Sequence, residues 1–338
     1  MHEKRLIKPF FEASYLSQVR RLRIFAEEAL KRYRLKVVDL KFINHAENAT
    51  FKVTASNGSR YLLRVHRYGY HTNEAIGEEL RWLSKLTKSR FLVPEPVLSK
   101  NRKLIEEVSV PELDLTRNCC LFRWVDGKFI NKSVHPKHMY KIGELLAKLQ
   151  ESAPKTIHRR YWDAEGLLGK NAKFGSIDSL GVASRKEQIV VTEARKSTLA
   201  NLKKYESKHP SRSGLIHADF HFGNLLAVGP KIGAIDFDDC GYGFFVYDLV
   251  IPYMSMQNIL GNRRVDELKL YKKALIEGYK TVRDWDKDDE DLFPYLVTAR
   301  KLLMLGWLNS RSDNPNLQKQ LKNYLKKTLE HIAAENVV

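Results

Sequence analysis

The apolar residues of this chain are spaced largely for strands in its first part and largely for helices after about residue 136, and that shift limits the folds open to it. Residues 37–43, 50–55 and 60–65 alternate as short strands do, the last two runs joined by a turn at Ser56-Asn57-Gly58-Ser59. From about Pro136 onward the spacing is mostly helical, over 139–150, 184–208, 265–279, 293–307 and 316–334. A strand-rich stretch from Leu215 to Phe237 interrupts it. Strands first and helices later predict an α+β protein of two unequal lobes. The smaller, over 1–125, would hold an opening helix and an antiparallel sheet, and the larger, over 126–338, would be mainly helical.

Within the first lobe, Leu22, Phe25, Ala26, Ala29 and Leu30 recur at helical spacing and predict an amphipathic helix over 17–33. A second helix is expected from Asn73 to Leu86, with Ile76, Leu80, Leu83 and Leu86 on one face. Prolines force Val93-Pro94-Glu95-Pro96 to be extended. Two strands are expected to flank the charged turn Ser99 to Lys103, and Cys119 to Val125 reads as a buried strand ending at Asp126-Gly127.

With 338 residues, 43% of them apolar, the chain can bury a substantial core. Charges interrupt the opening residues every few positions, which suits neither a signal peptide nor a membrane span and predicts a cytoplasmic protein without a membrane partner. Its three cysteines, the adjacent Cys119 and Cys120 and the distant Cys240, lack disulfide or zinc spacing and read as buried thiols. A formal charge of +18 favours anionic partners such as nucleotides, although basic residues recur along most of the chain, as on a solvated surface. Asp284, Asp286, Asp288, Asp289, Glu290 and Asp291 run the other way, as an acidic loop, a helix's first turn or a face for a cationic substrate.

The chemistry is concentrated from His217 to Asp239. His217-Ala218-Asp219 follows the apolar pair Leu215-Ile216, Asn224 comes shortly after, and a turn at Gly229-Pro230 leads back through an apolar run to Asp236. Phosphoryl transfer asks little covalent help of a protein. It needs a carboxylate to orient the attacking hydroxyl and oxygen ligands to hold Mg²⁺ on the phosphates. Asp219 suits the first task; Asn224 and Asp236, brought together by a hairpin, suit the second. His217-x-Asp219-x-His221 is also open to a transition metal, a reading that leaves Asn224 and Asp236 unexplained.

LIHADFHFGNLL and AIDFDDCGYG resemble the catalytic loop and metal-binding segment of the aminoglycoside phosphotransferase and choline kinase family, relatives of protein kinases. The resemblance runs from about residue 35 to 310. It implies a protein-kinase-like two-lobed fold, with ATP and Mg²⁺ as cofactors and a hydroxyl as acceptor. It also implies Asp219 as catalytic base, His217 as the brace of its loop, and Asn224 and Asp236 as Mg²⁺ ligands. Asp238 or Asp239 would sit near a second metal, and Asp248 would support the loop.

The smaller lobe would then bind the nucleotide. In YLLRV, alternation puts Leu62 and Arg64 on one strand face, where by the same resemblance Leu62 would cover adenine and Arg64 reach the phosphates. The partner of Arg64 would be Glu79, with Glu78 and Glu74 as rivals. His45-Ala46-Glu47-Asn48 stands where the phosphate-covering loop belongs but holds no glycine, so Asn48 rather than the main chain is expected to grip the phosphates. LFRWVDG resembles the hinge, whose backbone near Phe122, Arg123 and Trp124 would hydrogen-bond adenine. Gln150 stands where histidine is frequent, and Trp162 and Leu167 read as packing residues.

The acceptor stays open, because the family phosphorylates aminoglycosides, choline, ethanolamine, homoserine, sugars and protein side chains. A small-molecule hydroxyl is the expectation, with protein serine or threonine as the alternative. A catalytically inactive binding module is a third reading, opposed by the presence of His217, Asp219, Asn224 and Asp236 together. Nucleic acid is not an expected partner.

Overall fold

In a computed structural model of the chain, Ser14 accepts the Ser17 amide and so caps α1 (Tyr15–Leu30), whose buried side chains are Leu22, Phe25, Ala26, Ala29 and Leu30, the residues the spacing selects. The structure describes residues 9–335 apart from 46, 114, 131–133, 155–158, 171, 173, 175, 262–263 and 312–314. The chain divides into two units, Met1–Asp126 and Gly127–Val338.

In the first unit, α1 is followed by β1 (Val37–His45), β2 (Ala49–Ala55), β3 (Arg60–Val65), α2 (Asn73–Lys88), β4 (Glu106–Val110) and β5 (Leu115–Arg123). The strands form one antiparallel sheet in the order β1-β2-β3-β5-β4. Burial alternates strictly along β2, and Phe51, Val53, Leu63, Val65, Cys119 and Leu121 pack with the apolar stripe of α1. Gly58, at φ +80°, turns β2 into β3. The strand expected before Ser99 is instead a single bridge, Pro96 to Phe122, because proline has no N–H to extend a ladder.

The second unit continues with β6 (Lys128–Phe129), α3 (Pro136–Glu151), β7 (Arg160–Trp162), α4 (Ala164–Leu168), α5 (Arg185–Lys208), β8 (Ser213–Ile216), β9 (Leu225–Val228), β10 (Lys231–Ala234) and β11 (Gly241–Phe244). Four helices close it: α6 (Phe245–Leu260), α7 (Val265–Tyr279), α8 (Lys287–Asn309) and α9 (Pro315–Ala334). Two small sheets, β10-β9-β6 and β7-β11-β8, lie among them. Spacing did not reveal α6, since every residue from Phe245 to Pro252 is buried and no polar face marks a period. Helix α8 begins earlier than its apolar stripe, at the acidic stretch. Asp286 caps it, accepting the amides of Asp288 and Asp289, so those carboxylates form a helix start. On α9, Leu321, Leu325 and Ile332 are buried, while the side chain of Leu317 lies outside the described residues.

All three cysteines are buried and outside any disulfide, and Trp162 and Leu167 are fully buried. Among the described residues no helix is long and apolar enough to cross a membrane.

Helices α3 and α7 meet backbone to backbone. A Cβ on Gly143 would lie 1.9 Å from the Leu275 carbonyl oxygen, and one on Gly278 would lie 1.8 Å from that of Tyr140. Neither carbonyl can yield without moving its helix. Gly143→Ala should therefore destabilise the protein by about 3 kcal/mol, read as a lower urea midpoint. An unchanged midpoint would show that the two helices can separate freely.

Candidate active site

The loop from His217 to Asn224 is held from below by one buried carboxylate. Asp248, in the first turn of α6, accepts the His217 amide at 2.9 Å and the Ala218 amide at 2.7 Å. Ala218 has φ +65°, a left-handed conformation costly for alanine, and the paired bonds to Asp248 compensate for that cost. Gln150 on α3 lies 3.4 Å from the same carboxylate, donates to the Phe245 carbonyl at 3.0 Å and accepts from the Tyr279 hydroxyl at 2.7 Å. Burial pushes Asp248 up to about 6 against the pull of these donors, so it is ionised at neutral pH.

His217 is fully buried, and both ring nitrogens serve the main chain. Nε2 donates to the Ile235 carbonyl at 3.1 Å, and Nδ1 accepts the Asp219 amide at 3.3 Å. Burial lowers its pKa to about 4, which keeps the ring neutral. His217 thus ties the loop to the end of β10, and no nitrogen remains for a metal. Among the described residues no three His, Cys, Asp or Glu side chains converge to hold an ion, so the transition-metal alternative is set aside.

Asp219 is gripped on both oxygens. Arg300, on α8, donates to Oδ1 at 2.9 Å and to the Tyr247 hydroxyl at 3.1 Å. Asn224 Nδ2 lies 3.3 Å from Oδ2 and donates to the Asp219 carbonyl at 3.0 Å, while His221 Nε2 stands 3.4 Å from Oδ2. Burial alone would raise the Asp219 pKa, but the His221 bond and the Arg300 charge outweigh it and hold the carboxyl well below its usual range. No sequence pattern points to Arg300, which lies 81 positions from Asp219 in an ordinary helical stripe.

Asn224 and Asp236 lie on the two strand ends at the open end of the β9–β10 hairpin. Leu225 pairs with Ala234, and the next step is the Ile235 amide donating to the Asn224 carbonyl at 2.9 Å. Asp236 follows with φ +61°, a second non-glycine residue in the left-handed region, and is exposed. Asn224 directs Nδ2 to Asp219, which leaves Oδ1 as its ligand atom. An amide oxygen beside a carboxylate fits a small hard cation that takes its remaining ligands from phosphates and water. Asp238, expected near the metal, lies in the interior between the buried Phe237 and Cys240, its carbonyl accepting from Arg159 at 2.9 Å. The less buried Asp239 has its carbonyl fixed by the Trp162 indole at 2.8 Å.

In the first unit, Arg64 pairs with Glu79 at 2.7 Å, the two side chains 4% and 0% exposed. Glu79 thus meets Arg64, as the resemblance implies. The Arg64 guanidinium lies 5.0 Å from the Phe122 ring centroid, and Leu62 is paired with Phe122 across β3 and β5 on the same face. Asn48 Oδ1 accepts the Arg67 amide at 3.1 Å, and Glu47 pairs with the Arg67 side chain; Ala46 lies outside the described residues. One expectation is corrected. The Arg123 amide donates to the Glu95 carbonyl at 2.8 Å and the Trp124 amide to the Arg60 carbonyl at 3.0 Å, so neither N–H is available to adenine. The extended segment beside β5 takes the first of these donors and Arg60 of β3 takes the second, both inside the unit.

A two-unit α+β protein with an antiparallel five-stranded sheet, a buried Arg–Glu pair and an Asp–Asn–Asp loop and hairpin is a phosphotransferase of the kinase-like fold. The chain belongs to the phosphotransferase enzyme family, whose model matches residues 39–289. Amicoumacin kinase of Bacillus subtilis is 25% identical to it over 88% of each chain. Homoserine kinase of Methylobacillus flagellatus is 24% identical over 85% of this chain and 84% of its own. Among solved structures, a microcompartment-associated aminopropanol kinase superposes with a TM-score of 0.79 at 29% identity, covering 93% of this chain and 98% of the other.

Two outcomes follow from this geometry. Protonating Asp248 removes an acceptor from the loop, so kcat/KM should fall as the pH drops through about 6. Gln150→Leu removes a donor that favours the carboxylate and should move that limb to higher pH; coincident acidic limbs in the two proteins would contradict this. Arg300→Met should lower kcat by about 10²-fold with the KM for ATP unchanged, because Asp219 loses the anchor on Oδ1. Steady-state kinetics at fixed acceptor concentration decides it.

Proposed function

We propose that this protein transfers the γ-phosphoryl group of ATP to the hydroxyl of a small amine-bearing alcohol, acting in the cytoplasm with Mg²⁺. What carries the reading is Asp219, gripped on both oxygens and set beside the Asn224–Asp236 pair. Asp219 accepts the hydrogen bond of the acceptor hydroxyl and aims its oxygen at the γ-phosphorus. A carboxylate held below its usual range is a weak base. In a loose transition state the proton leaves late, so orientation is the larger service. Asn224 Oδ1 and the Asp236 carboxylate would hold Mg²⁺, which when bound neutralises charge on the phosphates.

The first unit would bind the nucleotide. Arg64, fixed by Glu79, offers its remaining donors to the phosphates, and Asn48 offers its NH₂ because its oxygen is bound to Arg67. Leu62 and Phe122 supply an apolar face for adenine, and Arg123 and Trp124 contribute their carbonyls. The donor to the base would come from the next amide, that of Val125.

The acceptor class rests on the relatives, whose names point to homoserine, aminopropanol and amicoumacin. Four carboxylates of the acidic stretch are engaged within the protein. Asp286 and Asp289 pair with Arg212, Asp288 with Lys208 and His209, and Glu290 with Lys272.

The test is transfer of label from γ-labelled ATP, with Mg²⁺, to a panel of amino alcohols, hydroxy amino acids and aminoglycosides. Asp219→Asn should lower turnover by about 10³-fold, and Asp236→Ala or chelation of the metal should abolish it. Transfer by Asp219→Asn at the wild-type rate, or no labelled acceptor in the whole panel, would sink the reading.

A further inference from the structure

Of the six carboxylates between residues 284 and 291, five pair with cations of the protein, Asp291 with Lys287 among them, and Asp284 bonds to no described residue. Asp284 lines a cavity of about 360 Å³ in the second unit, together with Glu151, Phe245, Tyr279, Arg283 and Trp285. Asp219, Asn224 and Asp236 are not in its wall. Arg283 brings a cation to the same space. Its guanidinium lies 4.1 Å from the Phe245 ring centroid, and Nη1 donates to Glu151 at 2.7 Å. Nε and Nη2 make no hydrogen bond to a described residue, and with the side chain 21% exposed both are open to solvent.

A guanidinium stacked on a ring is already held in place, and its open donors suit a carboxylate. A carboxylate alone would nevertheless meet Glu151, Asp284 and Asp289 in the same wall, and an amine alone would meet Arg212 and Arg283. Arg212 is engaged by Asp286 and Asp289, which leaves Arg283 and Asp284 as the charges open to a ligand. A molecule carrying both signs satisfies both. Tyr279 and Trp285, edge to face with ring centroids 6.1 Å apart, add an apolar wall. We propose that this cavity binds a small zwitterion of the α-amino acid class, its carboxylate on Arg283, its ammonium on Asp284 and its side chain toward Tyr279 and Trp285. The site lies one side chain away from the support of the catalytic loop. The Tyr279 hydroxyl and the Phe245 carbonyl both bond Gln150, which in turn reaches Asp248.

The site is independent of phosphoryl transfer and is tested with neither ATP nor an acceptor present. Thermal unfolding of the full chain at neutral pH and constant ionic strength would be followed with each α-amino acid that lacks a hydroxyl group. It would be repeated with the amide and the deaminated acid of any that binds. Wild type should melt about 2 °C or more higher with at least one amino acid at saturation. The amide, lacking the carboxylate, and the acid, lacking the ammonium, should each give less than half of that shift. Arg283→Gln and Asp284→Asn should both lose it. Asp284 has no bond to break, so Asp284→Asn should melt as wild type does without ligand, and it carries the test if Arg283→Gln does not fold. A wild type that no amino acid stabilises overturns the proposal. So does an amide or acid as effective as its parent, or an Asp284→Asn protein that keeps the full shift, because the ligand would then be held elsewhere, as at the acceptor site.

Discussion

A single carboxylate, that of Asp248, bears on more of this protein's chemistry than any other group. By accepting two consecutive amides it fixes His217 and Ala218, and Ala218 is thereby held in a conformation its side chain disfavours. Everything downstream inherits that geometry. The direction of Asp219, the His221 cap on the turn at Phe222–Asn224 and the entry into β9 all follow from where Ala218 points. Burying this charge carries a desolvation penalty, visible in its raised pKa, and Gln150 and Tyr279 extend the polar network that offsets it.

Buried charge is used in three ways. Arg64 and Glu79 neutralise each other and keep a cation rigid on a strand. Arg300 and Asp219 do the same across the second unit, with the added effect that the carboxylate is held ionised. Arg117 has no such partner among the described residues.

Much of the architecture was legible beforehand. The alternation of β2 and the stripe of α1 are local effects, and the chain states them locally. Helix α6 was not legible, since burial of every residue from Phe245 to Pro252 erases the polar face that periodicity needs. Nor was the absence of a strand before Ser99, where alternation is present but proline withholds the donor.

The same division runs through the site. The order of Asp219, Asn224 and Asp236 and the turn between them are properties of one continuous segment, so the sequence by itself determined which polar groups the loop and hairpin carry. Only the tertiary structure decided that Glu79 meets Arg64, that Arg300 grips Asp219, that Asp238 lies in the interior and that the amides of Arg123 and Trp124 are already engaged. The physical reason is separation along the chain. A contact between residues far apart in sequence depends on how helices and strands pack, and packing is settled by the whole core rather than by any motif.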